Sequence, residues 1–439
     1  MAASMDVGVY QQRRAKLAAA MRNGVAIVPT APERTRTRDS HYPYRFDSYF
    51  YYLTGFREPD AVLVIVAGEK ARSILFCRER DPEREIWDGF RYGPEAARVT
   101  FGFDETHTIG DLDELAPDFL ADCSSVHCPL GSDPVWDARI TGWINKVRAR
   151  ARSGVMAPNE LKDVYAALDE MRLIKGPEEI AIMRRAATIT AGAHRRAMRA
   201  TRPGRVEHEI EAELLHEFRL HGAQGPAYPP IVAGGERACV LHYVQNDGPL
   251  TDGELLLIDA GCELHGYAAD LTRTFPVNGR FSPAQREIYQ LVLAAQAAAI
   301  EAVKPGNLWD IPHRAAVKVL TQGLIDLKLI KENLEQAIET EAYRKFYMHR
   351  TGHWLGLDVH DAGDYKRDGE WRALAPGMVL TVEPGCYVRG GEDVPAHFAG
   401  IGVRIEDDVL VTDAGADVLT RDAPKSIPDI EALVGGADA

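Results

Sequence analysis

Short apolar runs separated by charged stretches set the pattern of the N-terminal third of the chain. Residues 24–29, 61–66 and 73–77 are apolar almost without interruption, as strands covered on both faces are. Residues 48–56, rich in Tyr and Phe, predict a further strand. The Ala-, Arg- and Asp-rich segments between them have the composition of helices, so this region reads as an α/β domain. Residues 1–21 carry charges where a signal peptide would have its apolar core, and predict an amphipathic helix instead. Arginines in that segment also fit a mitochondrial transit peptide, but no Ser-rich stretch follows.

The period changes near residue 175. Lys175-Gly176-Pro177 interrupts the chain, and Pro177 followed by Glu178-Glu179 starts a helix, with proline in the first turn and acids at the positive end of the dipole. Ile180, Met183, Ala187, Ala191 and Met198 then share one face, and Arg184, Arg185, Arg195 and Arg196 fall mostly off it. This helix ends before Pro203-Gly204. A second carries Ile210, Leu214 and Phe218 at a spacing of four and stops at His221-Gly222. The pair recurs: Ser282-Pro283-Ala284-Gln285 is a capping box opening a helix to about residue 303, and another begins near Pro312. The expected domains are residues 1–175 and 176–439.

After each helix pair the sequence repeats itself. Gly253-Glu-Leu-Leu-Leu-Ile-Asp259-Ala-Gly-Cys262 aligns in frame with Gly377-Met-Val-Leu-Thr-Val-Glu383-Pro-Gly-Cys386. Each is an apolar strand ending in a carboxylate, so the C-terminal domain is expected to contain two related halves. A carboxylate at the end of a buried strand must be paired, hydrogen-bonded or metal-bound. Asp270 opens Asp-Leu-Thr-Arg-Thr-Phe, and Glu406 lies in the strand-like run Gly-Val-Arg-Ile-Glu-Asp-Asp-Val-Leu-Val. His353 lies in the densest histidine segment, between His349 and His360. Four carboxylates and a neutral imidazole balance two divalent cations and are badly unbalanced with none. Oxygen-rich ligation with one histidine suits Mn²⁺, with Zn²⁺, Co²⁺ and Fe²⁺ as alternatives. Taken singly, a strand-end acid is more often a helix cap or an ion-pair partner; the set carries the argument.

Composition narrows the class. The chain has 439 residues, 46% hydrophobic and 26% charged, which is ordinary globular usage and enough for two domains. No apolar run approaches the length of a membrane-spanning helix. A net charge of −14 argues against nucleic acid or an acidic membrane as partner. The six cysteines form no CxxC pair, which points to a reducing, cytoplasmic setting. Cys123, His127 and Cys128 have no zinc spacing, His194 falls on an apolar helix face, and His208 and His216 read as helix-surface residues.

Five motifs, in order, resemble the pita-bread metallopeptidase family: Asp259-Ala-Gly, Ala-Asp270-Leu-Thr-Arg-Thr-Phe, His349-x-x-Gly-His353-x-x-Gly, Thr-Val-Glu383-Pro-Gly and Arg404-Ile-Glu406-Asp. They span most of residues 176–420. The N-terminal half is similar to the aminopeptidase P branch at Asp39-Ser-His-Tyr-Pro-Tyr-Arg, at Asp47-Ser-Tyr-Phe-Tyr-Tyr-Leu-Thr-Gly-Phe and at Trp87-Asp-Gly-Phe-Arg-Tyr-Gly-Pro. Arg350-Thr351-Gly352, between the two histidines, departs from the commoner pattern.

The resemblance implies an N-terminal α/β domain with a mixed sheet and a C-terminal pita-bread α+β domain with two pseudo-symmetric halves. It implies two divalent metal ions, most simply Mn²⁺, on Asp259, Asp270, His353, Glu383 and Glu406, with Asp270 and Glu406 bridging. His242, His349, His360, Glu383 and Arg404 take catalytic roles, and Tyr228 and Tyr387 lie beside the substrate. Asp39 and Trp87 reach a neighbouring subunit's site, which implies a homo-oligomer, tetramer or dimer. The substrates are then peptides with proline in second position, cleaved before it. Prolidase, a dipeptidase, is the nearest alternative, and a non-catalytic protein of the same fold is a more distant one.

Overall fold

The computed structural model describes residues 5–434. The chain divides between Arg172 and Leu173 into two compact units. The first is built on a six-stranded mixed sheet in the order Glu105–Thr108, Arg72–Cys77, Val62–Val66, Gly24–Pro29, Ser125–Cys128, Glu160–Asp163. Its two central pairings, on either side of Val62–Val66, are antiparallel and the outer three parallel. Val25, Ile27, Val64, Ile74 and Phe76 from the sheet bury against Leu112, Leu120, Trp143 and Ile144 from flanking helices.

One N-terminal expectation changes. Residues 48–56 are not a strand: Ser48–Thr54 is a helix. Continuous apolar character fits either state; the ends decide. Asp47 caps the helix by accepting the Phe50 N–H, and Gly55 in the left-handed region closes it. The expected N-terminal helix forms, Val7–Met21, but Arg13 and Arg14 point inward from it. Arg13 donates to Tyr52 O at 3.0 Å and Arg14 to Leu53 O at 3.0 Å, satisfying the last carbonyls of the capped helix.

The second unit is two variations on one motif. Helices Pro177–Ala200 and Glu207–Leu220 precede the antiparallel sheet Ile231–Gly234, Leu255–Asp259, Thr272–Pro276. Helices Pro283–Glu301 and Ile311–Asp326 precede the antiparallel sheet Val379–Val382, Asp407–Thr412, Gly415–Val418. The buried face of Pro177–Ala200 is wider than a single stripe: Ile182, Ala186 and Ile189 join Met183 and Ala187, and Ile180 is only half-buried. Register explains the repeated motif. Asp259 ends its strand opposite Thr272, two residues after Asp270, and Glu383 follows Val382, which pairs with Asp407, next to Glu406. Each half therefore delivers one carboxylate at a strand end and a second just before the neighbouring strand. Gly261 makes that approach possible: a Cβ there would lie 1.7 Å from Ala269 O. No helix of the described residues is long and apolar enough to cross a membrane.

Candidate metal centre

Asp259, Asp270, His353, Glu383 and Glu406 line one cavity of about 560 Å³ in the second unit. Asp270, His353 and Glu406 each offer a ligand atom within 4.8 Å of the others. His353 Nε2 is 3.3 Å from Asp270 Oδ2 and 3.6 Å from Glu383 Oε1. Tyr228 donates its hydroxyl to Asp259 Oδ1 at 2.7 Å and also bonds Asp270 Oδ1. Tyr228, His242, His349, His360 and Arg404 line the same cavity.

Crowded carboxylates reshape one another's proton affinity. Burial pushes Glu383 up to about 7, and the charges of Asp270 and Asp259 add to the rise. Burial and the charges of Asp270, Glu383 and Asp259 raise Glu406 well above the carboxylate range. Burial opposes the charge of Asp270 too, but its hydrogen bond and charge interaction with His353 outweigh it and hold Asp270 low. The same contacts outweigh burial at His353 and raise the imidazole to about 9. His349 goes the other way: burial and the Arg404 charge lower it to about 3. The four carboxylates thus outnumber the two groups that pair with them most closely, the imidazole of His353 and the guanidinium of Arg404. This donor set is short of positive charge, oxygen-rich and convergent, and it fits divalent cations.

Surrounding groups fix the orientation of the acids. Arg404 donates to Asp259 Oδ2 at 2.6 Å and to the Tyr387 hydroxyl at 2.9 Å, and that hydroxyl is 2.8 Å from His349 Nε2. Thr272 donates to Glu406 Oε2 at 2.6 Å. His353 Nδ1 is 2.9 Å from Trp354 O, which leaves Nε2 facing the carboxylates.

Residues 181–413 match the metallopeptidase family M24, and residues 10–127 match the aminopeptidase P N-terminal domain. A Xaa-Pro aminopeptidase of Haemophilus influenzae is 46% identical over 97% of this chain and 96% of its own length. Among solved structures, an aminopeptidase from Pseudomonas aeruginosa superposes with a TM-score of 0.97, at 49% identity over 99% of this chain and 98% of the other. Aminopeptidase P from Escherichia coli, solved in complex with substrate, superposes at 0.95 with 43% identity over 98% of both chains. The chain belongs to the aminopeptidase P branch of metallopeptidase family M24.

In this aminopeptidase P chain, several supporting groups are not evident from sequence. Arg273 is wholly buried and donates to Glu406 O at 2.5 Å, Thr272 O at 3.0 Å and Asp407 Oδ1 at 2.7 Å, clasping the two neighbouring chain segments that carry Asp270 and Glu406. Asp408 accepts the Asp270 N–H at 3.2 Å. Lys175 and Asp361 form an ion pair of 2.8 Å with both side chains 1% exposed, next to His360. The unusual Arg350-Thr351-Gly352 segment has its own logic. Thr351 Oγ1 is 2.6 Å from the Tyr347 hydroxyl and 2.8 Å from His313 Nδ1, and its carbonyl accepts the Glu383 N–H at 2.8 Å. A Cβ on Gly352 would lie 2.0 Å from Thr381 O.

Asp39 and Trp87 are exposed residues of the first unit, and at 84% exposure Trp87 is no core residue. His194 is fully buried, 2.9 Å from Ala260 O, and His208 and His216 are exposed. Cys123 and Cys128 are buried thiols.

Proposed function

We propose that this chain is a two-metal aminopeptidase that releases the N-terminal residue from peptides with proline in second position. The observation that carries the reading is the convergence of Asp259, Asp270, His353, Glu383 and Glu406 on one cavity with His242, His349, His360 and Arg404. The named relatives, Xaa-Pro aminopeptidases similar over their whole length, supply the substrate class. Asp259, Asp270, His353, Glu383 and Glu406 hold two divalent ions, Mn²⁺ in the simplest case. Such ions supply Lewis acidity and lower the pKa of water.

The chain's own groups do the rest. Glu383, at the cavity wall beside His353, accepts the proton of the attacking water and returns it to the leaving proline nitrogen. His242 and His360 hydrogen-bond the developing oxyanion or the leaving group. His349, kept neutral and held by Tyr387, borders the proline ring. Tyr228 and Asp259 face the free amino end. An Xaa-Pro nitrogen has no N–H and the ring fixes φ, so a site shaped for that ring selects it.

The test is cleavage of matched Xaa-Pro and Xaa-Pro-Yaa peptides by metal-stripped enzyme, before and after Mn²⁺ is added. Metal-dependent release of Xaa from the tripeptide, with the dipeptide slow, is the expected result. Cleavage of the dipeptide alone would make the protein a prolidase.

Six buried thiols, all free, support a cytoplasmic location. Ile86, Trp87 and Phe90, exposed at 80%, 84% and 66%, support a homo-oligomer in which Trp87 and Asp39 approach a neighbouring copy's cavity. Trp87→Ala should then lower kcat/KM by roughly tenfold with metal content intact. Unchanged kinetics together with an unchanged sedimentation coefficient would count against that arrangement.

A further inference from the structure

The loop carrying His242 is held from behind by a buried carboxylate that no step above uses. Glu207 is the first residue of helix Glu207–Leu220 and is fully buried. Its Oε1 accepts from Gly234 N at 2.8 Å and Arg237 Nε at 2.7 Å. Its Oε2 accepts from the Tyr243 hydroxyl at 2.8 Å and Gly248 N at 2.7 Å. Two of these donors precede His242 in sequence and two follow it, so one carboxylate closes the loop upon itself.

The surroundings are shaped for this clasp. Glu207 N donates to Gly248 O at 3.0 Å, and Leu250 N to Arg205 O at 2.8 Å, which lays residues 248–250 along the entry to the helix. A Cβ on Gly248 would lie 2.6 Å from the Arg237 guanidinium, so glycine leaves the room that Arg237 and Glu207 fill. Four donors and the Arg237 charge make burial of the carboxylate tolerable. Asn246 ties the same loop a second time, accepting from Val232 N and donating to Pro230 O and Glu211 Oε2, all at 2.9 Å. Tyr243 belongs to a buried cluster with Ile231, Ala233, Cys239, Leu257 and Tyr387. Tyr243 is thus fixed at its ring by the core and at its hydroxyl by Glu207, while its neighbour His242 faces the cavity with Leu241 and Val244.

We propose that Glu207, acting through Tyr243, is a positioning residue for His242, which it holds within reach of the reacting peptide. The inference rests on the catalytic reading of His242 given above. A hydrogen-bonding imidazole contributes only while it stays in reach, and a displacement of about 1 Å can cost on the order of 100-fold; restraint of this loop therefore acts on kcat rather than on metal content.

A double-mutant cycle on the metal-loaded enzyme tests this. Glu207→Gln keeps the volume but turns an amide against the donors, and Tyr243→Phe is the milder variant that carries the cycle should the first fail to fold. Each is measured alone, with His242→Ala and with His360→Ala, recording kcat, KM and metal content for an Xaa-Pro-Yaa peptide. Expected is a loss in kcat of about tenfold with unchanged metal, shrinking to less than about twofold in the His242→Ala background and persisting beside His360→Ala. Equal losses in both backgrounds would make Glu207 a general fold residue and overturn the inference. A costless His242→Ala would remove the role of His242 itself, and this inference with it, while leaving the peptide specificity intact.

Discussion

Glu406→Ala should abolish metal binding and activity together, lowering kcat/KM by about 10³-fold or more, equivalent to roughly 4 kcal/mol or above. The residue is 2% exposed, its carboxylate takes the Thr272 hydroxyl, and its backbone carbonyl takes Arg273. Removing the side chain leaves that scaffold standing, because the clasp grips the main chain. The cut is therefore local: it takes from the cluster an acid that lies near both Asp270 and His353. Metal content by mass spectrometry and turnover of an Xaa-Pro-Yaa peptide should fall in parallel, with near-native circular dichroism. A variant that lost its metal and still turned over would overturn the two-metal reading. So would one that kept a full complement of metal.

The contrast between Glu406 and Glu207 shows what was legible in the sequence. Asp259 and Glu383 each end an apolar run, Asp270 opens a strand-like segment and Glu406 lies within one, and the in-frame match of residues 253–262 with 377–386 makes the two-half architecture legible in the sequence. Such residues are conspicuous because a charge beside a buried strand demands a reason. Glu207 sits at the start of an amphipathic helix, where an acid is expected for the dipole alone, and its four donors come from residues 234–248. Arg273, Asp408 and Lys175 were hidden for the same reason: their partners lie 133, 138 and 186 positions away. Residues 48–56 failed differently. There the apolar run gave no period, and the helix was decided by Asp47 and Gly55 at its ends. A tryptophan in a sequence suggests a core position, and only its 84% exposure shows that Trp87 does not occupy one.

The acids that make the site also make the metal-stripped protein sensitive to alkali. Glu383 in the folded chain is pushed to about 7, against an ordinary value of 4.5, by burial and then by neighbouring charges. Between those values the folded state holds a proton that the unfolded state has released, so stability is lost as pH rises through the window. At about 1.4 kcal/mol per unit, this one group is worth on the order of 3 kcal/mol. Glu406, raised by the same causes, acts in the same direction. His353, raised from 6.5 to about 9 by Asp270 and Glu383 against the effect of burial, extends the loss to higher pH. Asp270 is shifted downward, so its stabilisation is fully present above the ordinary 3.8, is lost only as pH falls below it, and adds no slope in this range. Metal binding displaces these protons and replaces the missing positive charge. The Tm of stripped enzyme should therefore fall between pH 5.5 and 8.5, and the gap to the Mn²⁺-loaded enzyme should widen. Repulsion from the net charge of −14 is nearly common to both forms and largely cancels in that gap. Calorimetry on the two preparations measures it directly, and Glu383→Gln, with no proton to lose, should flatten the stripped curve. A gap that stayed constant or narrowed toward alkaline pH would mean that these carboxylates are not the groups the metal relieves.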